Sequence, residues 1–217
     1  MKYFMSFILS LLLISCSDKS KKEDKTTSGD NDMKMSTNVA PAYELKIAMR
    51  KLWEDHVTWT RNVILNIMDD LPGTDAAVAR LLQNQDDIGN AVKPYYGDSA
   101  GVQLTALLHT HITTAADLLK AAKSGNDPAF KEANTKWFDN ADEISAFLSK
   151  ANPNWPLADM KKMMHDHLDL TTGEATARMK KDYEGDIRAY DKVHDEILKM
   201  SDMLSDGIVK QFPEKFK

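Results

Sequence analysis

Residues 45–67 read LKIAMRKLWEDHVTWTRNVILNI, and the spacing within this stretch decides the fold. Leu45, Met49, Leu52, His56, Trp59, Val63 and Ile67 recur at steps of three and four, which places them on one face of an α-helix. A helix with one apolar stripe has to bury it against other helices. Downstream, β-branched residues never alternate with polar ones over a useful length, so strand signals are nearly absent. Glycine and proline stand at punctuation points instead. Pro72-Gly73-Thr74-Asp75 stops one helix and caps the next, and Pro94 to Ser99 does the same with Asp98 or Ser99 as cap. Gly125-Asn126-Asp127-Pro128 puts Asp at an N-cap and Pro in the first turn, and Asn152 to Pro156 makes a further break. The expectation is an all-α, up-and-down bundle of six helices over 43–71, 75–93, 99–124, 128–150, 157–181 and 184–211. Thr171-Thr172-Gly173-Glu174 has capping-box spacing, a point where the fifth helix would break and restart. Gly185 then marks its last turn.

The same stripe, traced through four helices, carries one histidine each time. His56 lies on the first seam. Leu104, Leu108, His111, Ala115, Leu118 and Ala122 form the second, and Met160, Met164, His167 and Leu170 the third. Ile187, Tyr190, His194, Ile197, Leu204 and Ile208 form the fourth, whereas His109 and His165 point elsewhere. At 1.5 Å per residue, all four seam histidines fall roughly 17–25 Å along the bundle, near its middle. Neutral imidazole is the commonest metal ligand, and bundle cores are regular places for metal sites. The expected ligands are therefore His56, His111, His167 and His194, with Asp55, Asp87, Glu174 and Asp191 as additional carboxylates. Such a set suits a transition metal ion (zinc, iron or copper). Met160, Met163 and Met164 would tilt it towards copper, although at this spacing they read first as core filler. The competing reading makes each seam histidine a core residue satisfied by a carboxylate, a carbonyl or a buried water.

The chain opens differently. Lys2 precedes an apolar run, Phe4 to Ile14, too short to span a bilayer, which takes ~20 residues. Leu13-Ile14-Ser15-Cys16 matches a bacterial lipobox, and Cys16 is the sole cysteine. Residues 1–15 thus read as a lipoprotein signal peptide, with Cys16 lipidated and the protein held on a membrane outside the cytoplasm. Residues 16–41 read as a polar tether with too little apolar surface to fold, and 42–217 as the helical domain. A net charge of −5 with no basic stripe argues against nucleic acid as a partner.

Several motifs resemble a family. They are Leu52-Trp53-Glu54-Asp55-His56-Val57-Thr58-Trp59-Thr60-Arg61, Asn84-Gln85-Asp86-Asp87-Ile88-Gly89-Asn90, Lys93-Pro94-Tyr95-Tyr96-Gly97 and Leu107-Leu108-His109-Thr110-His111-Ile112. His167-Leu168-Asp169-Leu170-Thr171 and Ala189-Tyr190-Asp191-Lys192-Val193-His194 complete the series. The chain resembles small secreted or lipid-anchored bacterial proteins of unknown function, some of them labelled glycosyltransferase or acetylglutamate kinase. The resemblance implies the fold and the motif positions. The enzymatic labels find no support in the residues: there is no glycine-rich phosphate loop after a strand, no Asp-x-Asp and no strand–helix alternation. No nucleophile can be assigned either, since the only cysteine is the lipid carrier. Three readings remain open: a metal-binding bundle, a metal-dependent oxidase or hydrolase on the same cluster, and an interaction or small-ligand module with structural histidines.

Overall fold

The computed structural model describes residues 40–217. The expected signal peptide, Cys16 and nearly all of the tether lie outside the described residues. Six α-helices follow: α1 Pro41–Met68, α2 Thr74–Tyr96, α3 Asp98–Ser124, α4 Asp127–Ala151, α5 Leu157–Met179 and α6 Tyr183–Gln211. A short 3-10 turn, Pro213–Phe216, ends the chain. The all-α architecture is as the periodicity implies. Among the described residues no helix is long and apolar enough to cross a membrane.

Local chemistry sets most boundaries. Gly125 closes α3 in the left-handed region, at φ 66°. Asn126, rather than Asp127, caps α4, its side chain accepting from the Ala129 N–H at 3.2 Å. Three further expectations need correction. Pro94 does not end α2. It lies exposed in the last turn, where it forfeits only its own N–H bond, and the helix runs on to Tyr96. The fifth helix does not restart at Thr171. Burial of Leu168 and Ala175 on either side holds it continuous, overriding the local capping preference. Gly185 sits in the first turn of α6 and not the last of α5, donating its N–H to the N-cap Asp182 at 2.9 Å. A Cβ there would come within 2.1 Å of that carboxylate, which would have to shift from its capping position.

The helices form a closed ring in chain order. Each packs on the next and α6 packs back on α1, while α1 also meets α3 and α5 across the middle. At the α2–α3 crossing the backbones nearly touch, because a Cβ on Gly101 would lie 2.6 Å from the Gly89 carbonyl oxygen. The core contains two apolar clusters. One contains Trp53, Leu108, Met164, Ile197 and Leu204. The other contains Ile64, Ile67, Leu81, Ile112 and Ala116. Both are supplied by these helices together with Trp155 of the α4–α5 connection, so residues 40–217 carry their own core.

Candidate functional site

Within the core lies a polar layer. α1, α3 and α5 each bring one imidazole to it: His56, His111 and His167, only 2%, 2% and 3% exposed. Each ring uses Nδ1 for a hydrogen bond to the next helix of its own hairpin. His111 Nδ1–H donates to Asn140 Oδ1 on α4 at 3.0 Å, and His167 Nδ1–H donates to Glu196 Oε2 on α6 at 3.0 Å. His56 differs: Gln85 Nε2 on α2 donates to its Nδ1 at 3.2 Å. A neutral His56 therefore carries its proton on Nε2, whereas His111 and His167 keep an Nε2 lone pair. Gln85 Oε1 is buried without a partner.

The rings are close. The His56 and His167 centroids are 5.8 Å apart, and Trp53 and Trp137 pack at 5.7 and 5.4 Å against His56 and His111. Burial, with repulsion from His167 and His111, holds the His56 pKa well below the ordinary imidazole value. Burial and His167 push His111 down to about 3. Both rings are therefore neutral, the form that ligates metals. As placed, however, no group of three His, Cys, Asp or Glu side chains among the described residues is close enough to hold one ion.

The expectation of four core imidazoles is corrected to three. His194 is on the surface of α6, its side chain 31% exposed and bonded through Nε2 to Glu54 at 3.1 Å. Val193 takes the seam position in its place, and Ile187, expected on the same stripe, is 56% exposed. His109 and His165 also face outward, onto Asp86 at 3.0 Å and Asp142 at 2.9 Å. The three outer histidines bridge α3 to α2, α5 to α4 and α6 to α1, the three seams between hairpins. Of the additional carboxylates, Asp191 is exposed, Asp87 is half-buried and Asp55 is paired with Lys51 at 2.5 Å. Only Glu174 lies in the core.

Glu174 belongs to a buried charge cluster. Arg61 Nη1 reaches Glu174 Oε1 at 2.5 Å and Asp186 Oδ1 at 2.7 Å, and Arg178 adds a longer bond to Asp186 at 3.3 Å. Glu174 and Asp186 are each 1% exposed. Burial pushes the Glu174 carboxyl up to about 7 despite Arg61, so it is partly protonated near neutrality. Arg61 and Asp186 were not among the residues expected at the site, and neither were Gln85, Asn140 and Glu196. One signal for the last three was available. Each stands 29 residues after its histidine. The histidines themselves recur 55 and 56 residues apart. The bundle is thus three hairpins, each carrying a ring on its first helix and an anchor on its second.

Comparison of the chain with family models, curated proteins and solved structures returned no match.

Proposed function

We propose that this chain is an extracytoplasmic lipoprotein, anchored through Cys16, whose bundle binds a transition metal ion on His56, His111 and His167. The observation that supports this reading is the shared construction of the three rings. Each is buried and fixed at Nδ1 by a side chain of its own hairpin, the way metal-ligating histidines are held by a second layer of partners. In each ring the two nitrogens face away from one another, so Nε2 is directed away from the anchoring helix. Rings sharing one ion at ~2.0–2.1 Å per nitrogen have centroids roughly 5–6 Å apart, a range that includes the His56–His167 pair. Binding would draw His111 in and move the His56 proton from Nε2 to Nδ1, at the cost of the Gln85 contact there, while Gln85 keeps its bonds to the Leu81 carbonyl and Asn84 Oδ1. A three-imidazole set suits zinc, iron or copper. The anchor rests on the lipobox alone.

The second reading, an interaction module with structural histidines, is favoured by the hydrogen bond each ring already has and by the absence of a preassembled three-ligand group. Residues 40–217, purified without a His tag and stripped with chelator, separate the two. On the metal reading, Zn²⁺ binds with about one equivalent and raises the unfolding free energy, roughly 2.7 kcal/mol at a hundredfold excess over Kd. His167→Ala abolishes that increment and His194→Ala leaves it. If Zn²⁺, Cu²⁺ and Fe²⁺ all leave the wild-type midpoint unchanged, the metal reading fails and the structural one stands.

A further inference from the structure

One helical turn beyond the histidine layer, the axis of the bundle is hollow. Thr60, Ala115 and Thr171, four residues after His56, His111 and His167 respectively, begin the wall of a cavity of about 120 Å³. It runs on between α1, α3, α4 and α5, past Ile64, Leu118 and Trp137. Cavities of this order, on the scale of ~150 Å³, take up benzene when their lining is apolar. This lining is mostly apolar; Thr60, whose hydroxyl donates to the His56 carbonyl, and the half-buried Thr172 and Thr176 also border it. Thr171 Oγ1 and Trp137 Nε1 are both buried without a hydrogen-bond partner, in residues 5% and 3% exposed. Leaving such groups unpaired costs free energy that a ligand can recover. The far end of the cavity is closed by Met68 and Met179, the latter 43% exposed. Methionine is the side chain best able to move aside and reclose.

We infer that this cavity is a binding site for a small, mostly apolar molecule bearing one hydroxyl, of the size and chemistry of phenol. The two orphaned groups specify the hydroxyl. Indole N–H only donates, so it calls for an acceptor, whereas the threonine hydroxyl takes either role. A single O–H on the ligand both accepts and donates, and so can serve both groups. The body of the molecule must be apolar because most of the remaining wall is aliphatic or aromatic. This inference is independent of the metal reading, since it uses none of the histidine nitrogens.

The test is a titration of residues 40–217 with phenol and with benzene, followed by the indole N–H resonance of Trp137 and by thermal midpoint. Saturable shifts with both ligands are expected, with phenol binding more tightly. Thr171→Val removes the hydroxyl while keeping the shape. It should weaken phenol roughly two- to tenfold, the range of one net hydrogen bond, and leave benzene unchanged or tighter. Ala115→Leu fills the space and should abolish both. Absence of saturable binding by either ligand overturns the inference. So does a phenol-to-benzene ratio that Thr171→Val leaves unaltered, which would assign the orphaned groups to trapped water. If Ala115→Leu loses its cooperative melt, the Thr171→Val ratio decides alone.

Discussion

Acidification from pH 6.5 to 4.5 should destabilise the bundle by an amount the core sets directly. His56 and His111 are held neutral in the folded state by burial, His111 with a pKa of about 3, whereas in the unfolded chain each takes up a proton near 6.5. Between 6.5 and 4.5 the unfolded chain thus binds two protons that the folded chain refuses, and stability falls with falling pH. Glu174 works the other way. Its folded pKa, about 7, lies above the unfolded value of 4.5, so over the same window the folded chain holds one proton that the unfolded chain has released. The net difference is one proton, which is about 1.4 kcal/mol per pH unit and roughly 3 kcal/mol over the window. That is a large share of the ~5–15 kcal/mol typical of a domain. Glu174→Gln deletes the opposing proton, so the slope should about double, to roughly 2.7 kcal/mol per unit. Urea unfolding at pH 6.5, 5.5 and 4.5, on wild type and variant, reads both slopes. A wild-type stability that is flat or rises on acidification would refute the assignment of neutral, buried rings. An unchanged slope in Glu174→Gln would refute the raised carboxyl.

Two further outcomes follow from features described above. Cys16→Ser should abolish labelling by a lipid precursor and release the protein from the membrane fraction, or leave it unprocessed; a mutant that is still labelled would disprove the lipobox reading. Arg61→Ala should cost roughly 3–5 kcal/mol, because it strands Glu174 and Asp186, each 1% exposed, beside a single distant Arg178 contact. A loss below about 1 kcal/mol in urea denaturation would mean that the cluster is relaxed or hydrated.

How far the sequence was readable depended on whether each residue's environment was local. The stripe through α1 was legible because apolar residues repeat there for six turns without interruption. Gly125 and the Asn152 break were legible because helix ends are settled within a few residues. The stripe of α6 was misread in its first half. Its true seam runs through Asp186, Val193, Ile197, Met200, Leu204 and Ile208, and it shares Ile197, Leu204 and Ile208 with the expected one. A buried aspartate has no place in a hydrophobic pattern. It is tolerated only because Arg61, 125 residues away in the chain, neutralises it. Counting Asp186 as solvent-facing shifted the upstream phase by one residue and put His194 inside. The site residues divide the same way. Three histidines could be found from periodicity on their own helices. Gln85 and Asn140 could not, since a neutral amide beside an apolar stripe looks like any surface amide until its separation from a histidine is compared across hairpins.

The 29-residue interval between ring and anchor has a consequence for inheritance. Ring and anchor always belong to the same hairpin, so a hairpin copied in tandem arrives with its imidazole already oriented, before it meets its neighbours. The anchor differs among the three hairpins: an amide at Gln85, an amide at Asn140 and an acid at Glu196. The layer therefore has three-fold form without three-fold charge. Only the α5–α6 hairpin brings a carboxyl to the layer, whereas the other two bring neutral amides.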